Sequence, residues 1–258
     1  MLQIRSDQMK VFKEAAQRSF ENEMVIHLTQ FSPPLVKAIG EEQLRKTVRF
    51  GIDKANSYGF TFRGPVRFYL ELMFLLGGHF DTDPQYLWAA EILSDQDAAP
   101  QIQRADQLYL KTVEYRKNVV GPKDAYSIKA LRKISLLASQ SQQPPAIDSI
   151  PAILQQLTHI YPQKAAYVGD EGLKALIYEA RDKAESSQFS TDRAIAFLVL
   201  LMFSLGHGCS DDPLYPWINH TLNNDKIPDP AARAKRLEKK ALTWLDHVLA
   251  YFEKEIQS

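Results

Sequence analysis

The chain has 258 residues, 45% of them apolar and 24% charged, which are the proportions of a globular protein able to bury a core without disulfide or metal staples. Its 31 basic and 31 acidic residues cancel, which argues against a general polyanion binder. The single cysteine, Cys209, excludes an intramolecular disulfide and fits a reducing compartment.

From Met1 to Asp7 there is no apolar signal core. The longest apolar run, Ala194 to Phe203, is shorter than the roughly 20 residues a bilayer span needs. The expectation is a cytoplasmic protein without a membrane segment. The first predicted helix places Met9, Phe12, Ala16, Phe20, Met24, Leu28 and Phe31 on one stripe, and Pro33-Pro34 should end it. Glu41 to Tyr58 reads as a second helix burying Leu44, Val48, Ile52 and Ala55. Arg63 to Leu76 is apolar nearly all round and should be central to its half. Gly77-Gly78 stops it, and Asp83-Pro84 opens a short helix carrying Tyr86 and Trp88. A fifth helix, about Pro100 to Val120, should turn Ile102, Ala105, Leu108, Val113 and Val119 inward.

Gly121-Pro122 marks a break, giving expected units of 1–121 and 122–258. Helices are predicted over Asp124 to Ser139, Ile150 to Ile160, Asp170 to Ser187, Thr191 to Leu205, Pro213 to Leu222 and Pro230 to Ile256. The segment 140–146 is the most linker-like in the chain. No strand pattern is evident, so the predicted class is all-α.

The chain also repeats itself. Leu72-Met73-Phe74-Leu75-Leu76-Gly77 returns as Leu201-Met202-Phe203-Ser204-Leu205-Gly206. Asp83-Pro84-Gln85-Tyr86-Leu87-Trp88 returns as Asp212-Pro213-Leu214-Tyr215-Pro216-Trp217. The offset is 129 residues at every match, and no gap is needed from about residue 24 to 119. Arg104 and Arg233 fall on the same register. The expectation is one helical unit used twice in tandem, related by a pseudo-two-fold axis. The period far exceeds the 20–50 residues of solenoid repeats.

These motifs bear a family resemblance. Leu72-Met73-Phe74, the glycine turn, Asp83-Pro84 and Trp88-Ala89 resemble uncharacterised bacterial helical proteins encoded near type VI secretion and polymorphic-toxin effectors. The resemblance covers about residues 5 to 95 and, more weakly, 150 to 222. It departs at Ser204, His207 and Pro216 in the second copy, and its motif carries no catalytic residue. It implies an accessory partner of a toxin, either an immunity protein or a chaperone and adaptor.

Candidate chemistry concentrates in the loops after the apolar helices. His79, Asp81, His207, Cys209 and Asp211 are possible metal ligands, as a metal-dependent hydrolase would need. They do not occupy matching positions, however, since His79 falls on Gly208 and His207 on Gly78. Asp83 and Asp212 do match and read as caps, each worth about 1 kcal/mol. Cys209 beside His207 lacks an orienting third group for nucleophilic work. Tyr86, Trp88, Tyr215, Trp217 and His207 are candidate binding residues, although the presence of the first four in both copies favours aromatic anchors that lock the short helix onto the core. Arg233, Lys235, Arg236, Lys239 and Lys240 form a basic stretch, diluted by Glu238 and better suited to a solvated helix face than to nucleic acid. No phosphate loop, metal helix or serine elbow is present, and no cofactor is called for. The expected function is therefore non-enzymatic protein binding, with a metal hydrolase or a nucleic-acid regulator as alternatives.

Overall fold

The computed structural model describes residues 6–97, 99–139, 150–189 and 191–257. Among these, every regular element is helical. The linker-like segment 140–146 lies outside the described residues.

Helix α1 (Ser6–Phe31) is followed by α2 (Pro33–Ile39), α3 (Glu41–Ser57) and α4 (Arg63–Leu76). A 3-10 turn (Pro84–Tyr86) leads into α5 (Leu87–Ser94) and α6 (Gln101–Tyr115), which ends in a π-turn (Arg116–Val120). Then come α7 (Ala125–Ser139), α8 (Ile150–Ile160), α9 (Pro162–Ser186), α10 (Asp192–Leu205), α11 (Pro216–Leu222) and α12 (Pro230–Gln257). Helices α2, α4, α5 and α6 each have a counterpart whose first residue lies 129 positions later, in α9, α10, α11 and α12.

Pro33-Pro34 does end α1, but the same residues open α2, because a proline in the first turn gives up only an amide that has no intrahelical acceptor. Gly40, at φ 78°, then turns the chain into α3. Its register mate Gly169, at φ 73°, kinks α9 at the same point, so the predicted start at Asp170 falls inside a longer helix. Helix α3 buries Leu44, Val48, Ile52 and Ala55, as the sequence spacing requires.

Two expected apolar stripes are buried only in part, Met24 and Leu28 of the first and Leu108 and Val119 of the second. Among the described apolar residues of α1 only Met24, Val25 and Leu28 are buried, while Met9, Phe12 and Phe31 are exposed. Helices α3 and α4 hold α1 through its middle and later turns, where Arg49 pairs with Glu21, Arg63 with Glu23 and His27 with Glu71. In α6, Ile102 and Val113 face out, and the buried side carries Arg104, Leu108, Thr112 and Tyr115.

One hydrophobic cluster runs from Met24 to Leu245 and draws on both sequence halves. Helices α4 and α10 lie within it, and α10 is buried at ten of its fourteen residues, which fits its lack of a polar face. Helix α9 packs on the 3-10 turn at Pro84–Tyr86, and α12 packs on both α7 and α2. Among the described residues no helix is long and apolar enough to cross a membrane.

Candidate functional site

Each apolar helix stops at a glycine. Gly77 ends α4 at φ 106° and Gly206 ends α10 at φ 100°. A side chain is strained in that region. The two turns also meet back to back. A methyl group on Gly77 would lie 2.5 Å from the Leu205 carbonyl oxygen, and one on Gly206 would lie 2.9 Å from that of Leu76.

Asp83 and Asp212 organise this meeting point. Asp83 Oδ1 accepts the Gln85 amide at 2.9 Å, and Asp212 Oδ1 accepts the Leu214 amide at 2.8 Å. The second oxygens reach across to the opposite turn. Asp83 Oδ2 accepts the His207 amide at 2.7 Å, and Asp212 Oδ2 accepts the Gly78 amide at 2.6 Å. Gln85 braces the junction, its Nε2 donating to Asp83 Oδ2 and to the Met202 carbonyl, both at 3.1 Å. Burial pushes both carboxyls above the usual range, Asp212 to about 6, although the amides they accept pull the other way.

The candidate metal ligands are divided among separate pairings. Asp81 Oδ2 accepts from Lys54 at 2.7 Å and from the Tyr58 hydroxyl at 2.9 Å. Asp211 accepts from Lys183 at 2.7 Å and from Asn219 at 3.0 Å. His207 Nδ1 meets Glu179 at 2.8 Å, while its Nε2 lies 3.0 Å from the Thr82 hydroxyl and 3.2 Å from the His79 carbonyl. Burial opposes the charged His207 ring, yet the Glu179 and Asp83 carboxylates outweigh it and hold its pKa above the usual value. His79 is shifted the opposite way, by burial and by nearby Lys54. Cys209 is fully buried, and burial pushes its thiol up, so the reactive thiolate is disfavoured. Among the described residues no group of three or more His, Cys, Asp or Glu is placed to hold a metal ion.

The aromatic candidates are interior. Tyr86 and Tyr215 are buried, and Trp88 and Trp217 are half-buried against the core. Tyr86 packs edge-on to Tyr115 at 5.5 Å and to Trp88 at 6.4 Å. Both tyrosines line one cavity of about 440 Å3. The fully buried Lys164 lines it too, its Nζ donating to the Tyr86 hydroxyl at 3.0 Å and to the Phe203 carbonyl.

Arg233 leaves the basic stretch for the interior. It donates to the carbonyls of Leu222 at 2.8 Å, Ser187 at 3.0 Å and Gln188 at 2.8 Å. Arg104 does the same for Leu93 and Tyr58 at 2.8 Å and Ala99 at 3.2 Å. All of these carbonyls except that of Ala99, which precedes α6, sit at or just past helix C-termini, where negative partial charge collects. Lys235, Arg236, Lys239 and Lys240 stay exposed.

Sequence reasoning missed Lys164, Gln85, Glu179 and the role of the two arginines. For Lys164 a signal existed: its register mate is Leu35, so one copy carries a charge where the other is apolar. No protein-family model, no curated protein and no solved structure matches the chain.

Proposed function

We propose that the protein is a non-enzymatic binding module that acts in the cytoplasm as an accessory partner of a bacterial secreted toxin. Its role is that of a cognate immunity protein or of a chaperone and adaptor. The two halves are read as one helical unit used twice about a pseudo-two-fold axis. The equal spacing of the helix starts, the reciprocal aspartates and the paired arginine clamps support that reading.

The observation that carries the binding role is the outer face of α6. Ile102, Tyr109, Leu110 and Val113 are large apolar residues left exposed, as is Phe62, the N-cap of α4, whose backbone amide bonds Gln101 at the start of α6. Ile102, Tyr109 and Val113 recur at helical spacing and share one stripe. At the register-matched positions the second half has Ala231, Glu238, Lys239, Leu242 and, for Phe62, Thr191. Glu238 is tied to Arg193 at 2.6 Å, and Thr191 caps α10. Folding one unit therefore does not require an apolar surface there. An apolar centre ringed by polar residues suits a protein partner, and Lys111 and Glu114 flank the stripe. Against catalysis stands the commitment of His207, Asp81 and Asp211 to intramolecular pairs.

The test is co-expression with the toxin encoded beside it. Rescue of growth and a complex that survives size exclusion are expected. Tyr109→Glu with Leu110→Glu should abolish the complex while leaving the circular dichroism and melting temperature of the free protein unchanged. Neither rescue nor a complex with the unaltered protein would overturn the reading.

A further inference from the structure

The cavity lined by Tyr86 and Tyr215 has the volume of a small-molecule site. Its wall contains residues from both halves in the 129-residue register: Tyr86 with Tyr215, Leu35 with Lys164, Tyr115 with Trp244. The first pair is identical, and the other two have diverged. As a result the wall holds a cluster of an ammonium and two phenols, Lys164 with Tyr86 and Tyr115, and it also holds Leu35 and the Trp244 indole beside Tyr215. Phe74, Ile134 and Val248 extend the apolar part.

The polar side has more donors than acceptors. Lys164 has two acceptors, the Tyr86 hydroxyl and the Phe203 carbonyl, and both are neutral oxygens. Burial lowers its pKa to about 8, against the distant pull of Asp83, so it still carries its charge at neutral pH. Because the Tyr86 oxygen accepts from Lys164, its own proton must go elsewhere. The one acceptor near it is the Tyr115 hydroxyl at 3.5 Å, which leaves the Tyr115 proton without a partner. Burial holds both phenols far above the usual tyrosine value, so neither ionises to relieve the shortage. Trp244 Nε1, on the same cavity wall, also lacks an acceptor. A buried ammonium with no carboxylate in contact, and a phenol proton without an acceptor beside it, cost stability unless something fills the gap.

We propose that this cavity binds a medium-chain monocarboxylate, with its carboxylate on Lys164 Nζ and the Tyr86 and Tyr115 hydroxyls and its hydrocarbon body against the apolar wall. One lysine matches one negative charge. Arg116, the other cation on the lining, is already paired with Asp124 at 3.1 Å, which disfavours a multiply charged head such as a phosphate.

The test is calorimetric titration with sodium decanoate, 1-decanol and decyltrimethylammonium, each below its micellar concentration. Decanoate is expected to bind one-to-one and at least roughly tenfold more tightly than decanol, as a charge-assisted contact should, and the ammonium amphiphile should not bind. Lys164→Met keeps the length of the side chain, removes the buried charge, and should abolish the preference for decanoate over decanol. If that variant fails to fold, Tyr115→Phe serves in its place: it should weaken decanoate several-fold and leave decanol unchanged. No decanoate binding, equal affinity for acid and alcohol, a preference that survives Lys164→Met, or unchanged decanoate affinity in Tyr115→Phe would each overturn the proposal.

Discussion

Asp83 and Asp212 show how one side chain can be half legible. The Asp-Pro pair announces a cap, and each Oδ1 accepts the amide two residues on, although Asp212 caps a turn and α11 begins only at Pro216 rather than at the expected Pro213. What the second oxygen does depends on a turn more than a hundred residues away, and no local pattern encodes that. The crossing bonds have a consequence for titration. Asp212 has a folded pKa near 6, above the ordinary 3.8, so the native state holds this proton more tightly than the unfolded chain does. Its contribution to stability is therefore full below pH 3.8 and is lost as pH climbs to about 6. Denaturant melts at pH 4.5 and 7 should show a smaller loss of stability with rising pH in Asp212→Asn than in the unaltered protein. Arg104 and Arg233 were visible as a matched pair, but their destination was not, because an arginine in a helix usually reads as solvent-facing. Arg104→Met leaves the carbonyls of Leu93, Tyr58 and Ala99 without their donor. It should cost about 3 kcal/mol, read as a lower denaturation midpoint at an unchanged slope.

At the level of elements, helix existence and most boundaries followed from periodicity and punctuation, while facing did not. Helix α6 carries two apolar stripes, Ile102–Tyr109–Val113 and Leu108–Tyr115–Val119, and hydrophobicity alone does not say which one meets the core. Arg104 lies on the side of the second stripe, and its clamp on the Leu93 and Tyr58 carbonyls is satisfied only with that side inward. Helix α1 overran its cover in a similar way, since a stripe is buried only as far as its neighbours reach. The glycine stop of α4 is legible in the sequence, and Gly206 ends α10 in the same way. Their additional role, letting two backbones touch, needs the opposite turn to be in place. Gly206→Ala should therefore cost more than its positive φ alone would, about 3 kcal/mol or more, because the new methyl meets the Leu76 carbonyl at 2.9 Å. Gly40→Ala is the control: its φ is also positive, yet nothing lies within 4 Å of the added methyl, so only the strain term of about 1 kcal/mol should appear. Thermal melts of the two variants separate close packing from backbone strain.

On the scale of the whole molecule, the expected units of 1–121 and 122–258 contribute to a single core. Helix α12 bridges α7 and α2, and α9 bears on the turn that follows α4. Unfolding should accordingly be one cooperative transition. Hydrogen-exchange protection in α4 and α10 should disappear at the same denaturant concentration, and circular dichroism should coincide with tryptophan fluorescence. Two separated midpoints would mean that the halves unfold independently. The offset of 129 residues was enough to foresee matched helices. It could not foresee that a cavity would open between register mates, because emptiness is a property of packing and leaves no motif in the chain.

The exchanged carboxylate bonds also constrain how such a chain can change over time. His207 and Gly78 each take their acceptor from the far half, so lengthening either loop by one residue would strand two donors at once. Neither half can be trimmed away or rebuilt alone without exposing the other's amides. A shorter chain holding one such unit would have to meet a second molecule of itself to satisfy them, with the same surface serving both sides of the contact. Because both turns lie in one polypeptide, their meeting is independent of concentration. The two parts of the cavity wall can then differ in character, as Leu35 and Lys164 do.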